Sequence, residues 1–230
     1  QAGFEPYKPQ NLLKTIQADC RMPSERDKVA LYFSREYTDG FFAWTIPAGD
    51  FVRVGVGSFS DAPQKFDAFL KKLGAKPESK FAGVIPIKGA LKRTQSSNAY
   101  LVGDAAGQVK PTTGGGVITG MKSAKILADC LKNGVSYETR WRAELEKDLQ
   151  MGLMIREFAS KLSDAQLDLL FDVAVQEDVP KLLEQYGNMD KPTTLLKSEK
   201  IIRLISRISG LYSGTPTTFS VGKKSSTKRK

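Results

Sequence analysis

Residues 100–117 read Tyr-Leu-Val-Gly-Asp-Ala-Ala-Gly-Gln-Val-Lys-Pro-Thr-Thr-Gly-Gly-Gly-Val, and no other stretch narrows the backbone's choices as far. Tyr100, Leu101 and Val102 read as a short buried strand, ended by Gly103 and Asp104. In open α/β architecture ligands gather at the carboxyl ends of strands, where Asp104 falls. An ionised carboxylate there accepts hydrogen bonds from sugar-like hydroxyls. The small residues Ala105, Ala106 and Gly107 let backbone approach whatever Asp104 holds. Pro111 follows, then Gly114, Gly115 and Gly116, then a helix entered through Val117. Three residues without Cβ let a flat ligand lie against the backbone. The helix's first N–H groups have no intrahelical acceptor, and its N-terminus carries roughly half a positive charge, so it favours an anion. Alone, a Gly-Asp turn or a glycine run is ordinary; their order and spacing here are specific.

Before this segment the chain has period two. Leu12 and Leu13, 16–18, 29–33, 41–46 and 51–56 are short runs rich in β-branched and aromatic residues. Pro23, 38–40 and 48–50 separate them as turns, the last closing a hairpin, so an antiparallel sheet is expected. Residues 61–73 switch to helical period, with Phe66, Phe69, Leu70 and Leu73 on one face, and 81–87 return to strand. After Gly116 a helix is expected to bury Val117, Ile118, Met121, Ala124, Ala128 and Leu131, closing at Asn133-Gly134. Helices follow over 137–161, 164–171, 179–186 and 194–208. Residues 213–230 have little to bury and read as a disordered basic tail.

Charge and composition remove several classes. The formal charge is +10, and Lys223, Lys224, Lys228, Arg229 and Lys230 hold half of it, so the body is mildly basic and no nucleic-acid partner is expected. Without histidine there is no Ser-His-Asp or Cys-His catalysis and no imidazole-bound zinc. Cys20 and Cys130 have no metal spacing and read as buried thiols, in keeping with a reducing cytosol and a cytoplasmic location. Gln1 is not an initiator Met, so the chain is expected to belong to a longer protein.

The 100–117 segment resembles the second flavin-binding motif of the geranylgeranyl reductase family, within the flavoproteins folded like p-hydroxybenzoate hydroxylase. The resemblance implies that Asp104 binds the ribityl chain of FAD and that Gly114, Gly115 and Gly116 lie against the isoalloxazine, with Gly103, Ala105, Gly107, Pro111 and Val117 completing the site. Phe42-Ala43-Trp44-Thr45-Ile46-Pro47, seven residues, then Gly55-Val56-Gly57 resembles the family's substrate-side signature, with Ile46 where Phe is usual. Phe42, Trp44, Pro47, Gly55 and Gly57 would then belong to a cavity for an isoprenoid chain, while Phe41 reads as sheet packing. No Gly-x-Gly-x-x-Gly strand-turn-helix for the ADP half of FAD occurs in these residues.

An α+β class follows, part of a p-hydroxybenzoate hydroxylase-like FAD fold without its N-terminal Rossmann βαβ. It comprises an antiparallel substrate-side sheet region (1–92), a strand-helix flavin segment (93–134), a C-terminal helical region (135–212) and the tail (213–230). The implied activity is FAD-dependent saturation of geranylgeranyl chains, an isoprenoid lipid being the substrate and the electron donor open. A monooxygenase or quinone-linked dehydrogenase of the same fold, or a non-enzymatic basic module, are the alternatives. Lys197, Lys200, Arg203 and Arg207 on one face of the last helix, against Ile201, Ile202, Ile205 and Ile208, fit either a peripheral membrane surface or a solvated bundle face.

Overall fold

The computed structural model describes residues 3–199, apart from the side chain of Lys197. Five strands form one antiparallel sheet in the order β2-β3-β4-β1-β5: β1 (Leu13–Cys20), β2 (Ala30–Tyr32), β3 (Ala43–Ala48), β4 (Phe51–Ser58) and β5 (Pro77–Ile85). The expected hairpin is β3–β4, turning at Gly49 and Asp50, with Trp44 directly opposite Gly55. The two runs expected before Pro23 fuse into the single strand β1, which pairs with both β4 and β5.

Period two gives this sheet two unlike faces. Val52, Val54 and Val56 are buried on one, beneath helix α1 (Ala62–Leu73). Phe66, Phe69 and Leu70 of α1 complete that core with Ala18, Cys20 and Ala43. Each such large side chain contributes about 1.5–3 kcal/mol by leaving water. Gly74 at φ 62 ends α1 in the left-handed conformation that glycine adopts without strain. The other face carries Trp44, Gly55 and Gly57 and turns towards the site.

A two-residue hairpin, β6 (Gln95–Ser96) and β7 (Ala99–Tyr100), leads into a 3-10 turn over Gly103–Ala106. The strand expected over 100–102 thus ends at Tyr100, and its residues are half-buried rather than buried. The Glu138 carboxylate accepts from the N–H groups of Thr94 and Gln95, while the Thr94 carbonyl accepts from the Leu101 N–H at 2.8 Å.

Helix α2 (Val117–Asn133) forms where expected but is turned over. Its buried residues are Thr119, Ser123, Ile126 and Cys130. Val117, Met121 and Leu131, expected inside, are 75%, 66% and 59% exposed, and Ala124 and Ala128 are exposed as well. A Cβ on Gly120 would stand 3.5 Å from the Cα of Gly103, so backbone lies close to backbone there, while Ile126 and Cys130 further along pack against Tyr137 and Trp141.

The helix expected over 137–161 is continuous in outline: α3 (Tyr137–Trp141), a π-helical turn (Arg142–Glu146) and α4 (Lys147–Lys161). Helix α5 (Asp164–Gln176) starts on a capping box between Ser163 and Gln166, and α6 (Val179–Tyr186) follows. Residues Pro192–Lys197 form a 3-10 turn, where an α-helix was expected from Thr194. Residues 200–208 of that expected helix and the basic tail lie outside the described residues. Both cysteines are buried and free. Among the described residues no helix is long and apolar enough to cross a membrane, and no side-chain cluster would hold a metal.

Candidate functional site

The 103–117 segment is clamped from within. Gln108, fully buried, accepts from the Gly103 N–H at 2.8 Å and donates to the Tyr137 hydroxyl at 3.0 Å. Tyr137 in turn donates to the Leu101 carbonyl at 3.0 Å, and burial raises the pKa of its phenol. Helix α3 is tied to the stretch just before it, because Trp141 donates to the Thr94 hydroxyl at 2.7 Å and Arg142 to the Leu91 and Lys92 carbonyls. Pro111 is buried against Gly152 of α4, where a Cβ would stand 3.2 Å from its ring.

Four of the expected residues gather at the start of α2. Gly114 has φ +72, open to glycine and strained for other residues. Gly116 is the N-cap of α2, and a Cβ there would collide with the Asp104 carboxylate. Asp104 is therefore held at the positive end of the helix, exposed, and its carboxylate accepts no hydrogen bond among the described residues. Gly115 lies beside Lys110, whose Cε would be 3.0 Å from an added Cβ. Ala105 is exposed on the same turn, and Val117 is the exposed first residue of α2. Gly103 and Gly107, both at positive φ, sit behind them as close-packing positions.

Two side chains join this group without a local signal in the sequence. The Tyr7 hydroxyl is buried without a hydrogen-bond partner and stands 2.5 Å from where a Cβ of Gly107 would be. Burial, and secondarily the Asp104 charge, push its pKa far up. The Lys110 ammonium meets Asp190 at 3.0 Å, and Lys122 meets the same carboxylate at 3.5 Å. The Lys110 bond holds the Asp190 carboxyl below its usual range. Lys110 stands inside the motif and was visible beside the glycines; Tyr7 and Asp190 arrive from distant sequence.

The hairpin motif has a steric logic. A Cβ on Gly55 would run into the Trp44 indole, and one on Gly57 would stand 2.5 Å from the Phe41 ring. The two glycines leave room for aromatic rings laid flat on the sheet. Phe41 reaches further: its Cζ would be 3.6 Å from a Cβ on Gly114. One ring thus touches both motifs.

Beside Phe41 opens a cavity of about 290 Å³, lined by Phe33, Phe41, Phe42, Thr112, Ile155, Arg156 and Phe171 among others. Phe41 and Phe42 stack with centroids 4.0 Å apart, and Phe33 contacts Phe42 and Phe171. Phe42 is one of the wall residues. Phe41, expected to be sheet packing, is also a wall residue, because the chain turns at Gly40 (φ +72) before β3 begins. Trp44 is not in the wall; it stands behind Phe42 in an edge contact at 6.1 Å. Pro47 pairs with Val52 near the hairpin turn and takes no part in the cavity. A larger recess, about 740 Å³, between α2 and the following helices is lined by charges of both signs and offers an apolar chain no wall.

Chemically, an exposed carboxylate without protein partners, an orphan hydroxyl, a run of glycines and a helix N-terminus suit a hydroxyl-rich chain joined to a flat, electron-accepting ring. FAD has that form, and the residues fit it.

The architecture is that of flavoproteins of the geranylgeranyl reductase type. It matches the crystal structure of a geranylgeranyl bacteriochlorophyll reductase-like protein from Thermoplasma acidophilum with a TM-score of 0.69 at 18% identity, over 90% of this chain and 58% of that one. It matches a flavin-dependent brominase less well, with a TM-score of 0.56 at 15% identity over 89% of this chain and 57% of that one. In sequence, the chain is 31% identical over 186 residues to an uncharacterised protein of Methanocaldococcus jannaschii, covering 74% of this chain and 48% of that protein. It is 30% identical over 190 residues to digeranylgeranylglycerophospholipid reductase 2 of Methanothermobacter thermautotrophicus, covering 74% of this chain and 49% of that one. The lycopene cyclase protein family matches residues 58–167. The chain resembles the geranylgeranyl reductase family, and it spans about half the length of the curated relatives it matches.

Proposed function

We propose that this chain forms the ring-facing and substrate-facing side of an FAD-dependent reductase that saturates double bonds of isoprenoid chains in lipid precursors. The observation that carries it is the Phe41 ring, which lies between Gly57 of the hairpin and Gly114 of the glycine segment. An apolar, aromatic cavity therefore adjoins the glycine turn, with Thr112 in its wall. In this reading Asp104 and Tyr7 receive ribityl hydroxyls, Gly114, Gly115 and Gly116 lie against the ring, and the α2 N-terminus faces its electron-rich edge. Bound FAD would supply the hydride. The chain's own part is positioning and exclusion of water, since an unactivated alkene presents little charge to stabilise.

The kinship with a digeranylgeranylglycerophospholipid reductase supports an isoprenoid lipid as substrate. Peripheral attachment to a membrane rests on the basic segment from Lys200 onward, outside the described residues. The site is tested by flavin retention in the complete protein that contains this chain. Gly115→Leu should abolish retention without loss of folded helix content by circular dichroism. Retention equal to the native protein would overturn the placement of the ring.

A further inference from the structure

Between Asp104 and Val117 the glycine segment carries a single cation, Lys110. Its backbone closes the turn. The Lys110 N–H donates to the Gly115 carbonyl at 3.1 Å, and the Lys110 carbonyl accepts from the Gly114 N–H at 2.9 Å. Its side chain folds back over that turn, with Nζ 3.6 Å from where a Cβ of Gly115 would stand. The ammonium therefore lies on the side of Gly115 that the absent Cβ leaves open. Asp190 reaches it from a loop in which the Asn188 side chain accepts from the Asp190 and Lys191 N–H groups. Just beyond, the Thr193 hydroxyl donates to Asp148 of α4 at 2.6 Å. Lys110 stands on one oxygen of the Asp190 carboxylate at 3.0 Å and Lys122 on the other at 3.5 Å, which leaves the group one positive charge in excess. The Lys110 and Asp190 side chains are only 18% and 26% exposed, so solvent ions screen them less than they screen a surface pair. The Lys110 bond holds the Asp190 carboxyl below its usual range, so the acid is ionised at neutral pH.

A fixed cation beside a redox ring favours the state that carries more negative charge, and a flavin gains that charge on reduction. We propose that Lys110 raises the reduction potential of the bound flavin, and that Asp190 sets how much of the Lys110 charge the ring feels. This rests on the placement of the ring against Gly114, Gly115 and Gly116, and it adds the residues that tune the ring there. An ion pair that only fastened the Asp190 loop to α2 could be made by Lys122 alone, which lies on the helix outside the turn. Lys110 instead holds its charge over the glycine where the ring is placed.

The test is the midpoint potential of FAD bound to the complete protein that contains this chain, read by anaerobic equilibration with a redox dye. Lys110→Met should lower the potential by about 30 mV or more, a tenfold loss of preference for the reduced flavin in a two-electron couple. Lys110→Arg keeps the charge and should change that preference by less than about twofold, about 9 mV. Asp190→Asn frees the ammonium and should move the potential the other way, by about threefold or about 14 mV. Opposite signs for the two neutralising variants separate tuning from fastening, because loss of a purely structural pair acts alike from either side. An unchanged potential in Lys110→Met or in Asp190→Asn, or shifts of one sign in both, overturns the proposal while leaving the flavin site in place. If Lys110→Met does not retain its flavin, the rise in Asp190→Asn beside an unmoved Lys110→Arg decides, and its absence overturns the proposal. A native protein that retains no FAD, or a Gly115→Leu variant that retains it fully, would overturn the placement of the ring, and this proposal with it.

Discussion

Gly55 and Gly83 are both strand glycines of one sheet, and neither has positive φ, so an alanine is open to both backbones. Their surroundings differ. A Cβ on Gly83 would stand 3.4 Å from the Thr15 hydroxyl, an ordinary contact. A Cβ on Gly55 would run into the indole of Trp44, with Nε1 at 2.6 Å and two ring carbons closer still. Carbon contacts settle at about 3.5–4.0 Å, so the indole must move by about 1 Å or more, and Phe42 lies edge-on behind it. Overpacking of this kind costs about 1–3 kcal/mol. Gly83→Ala should be neutral or stabilising by about 0.4–1 kcal/mol, because it restricts the unfolded chain. The unfolded-chain term is common to both, so the two alanines should differ by about 1–3 kcal/mol in urea unfolding followed by circular dichroism, with unchanged m-values. Trp44→Leu in the Gly55→Ala background should recover part of the loss, a coupling of about 0.5–3 kcal/mol. Alanine variants agreeing within about 0.5 kcal/mol would refute the claim that Gly55 exists to seat the indole.

Other outcomes follow from the same contacts. Burial alone would raise the Glu138 carboxyl, but bonds from Thr94 and Arg142 outweigh it and leave it below its ordinary 4.5; Asp190 is likewise held below 3.8, chiefly by Lys110. Groups depressed in the folded state stabilise it above the unfolded pKa, so stability should fall as pH drops below 4.5 through the folded values. In Glu138→Gln that acid-side slope should shrink in pH-dependent urea midpoints; an unaltered slope would count against it. Tyr7→Phe removes a buried hydroxyl without a protein partner, so it should leave stability equal or higher by up to about 1–3 kcal/mol, yet weaken flavin retention. Loss of stability with retention intact would show that the hydroxyl serves the fold instead. Asp104→Ala should lower flavin affinity about tenfold or more in equilibrium dialysis of the complete protein, as charge-assisted bonds do, and an unaltered affinity would remove Asp104 from the site.

How much of this could be seen beforehand depended on how local each cause is. Alternation from β3 to β4 sets the hairpin, and the Trp44–Gly55 pairing follows from its turn length. The glycine segment was legible because close approach and helix entry are coded within a few residues. The apolar stripe Val117, Met121 and Leu131 is real, but α2 turns Ile126 and Cys130 inward to pack with Tyr137 and Trp141, residues that lie later in the chain. Phe41 packs on Gly57 of the sheet and also reaches the cavity wall, a second role that depends on how the chain turns at Gly40. Arg156 shares its buried face with Leu149 and Gly152, at helical spacing, so its burial was visible in principle. The lack of a partner at its buried Nε was not, since that depends on every chain segment around it. Tyr7 and Asp190 reach the site only through the fold.

The central claim is that an isoprenoid chain lies where a flavin held by the 103–117 segment can saturate it. The direct measurement is anaerobic: the complete protein is loaded with FAD, the flavin is reduced chemically, and a geranylgeranylated glycerophospholipid is added. The proposal predicts return of the oxidised flavin absorbance in proportion to lipid consumed, with mass spectrometry showing hydrogen added across prenyl double bonds. A flavin that stays bleached, beside lipid of unchanged mass, would contradict it.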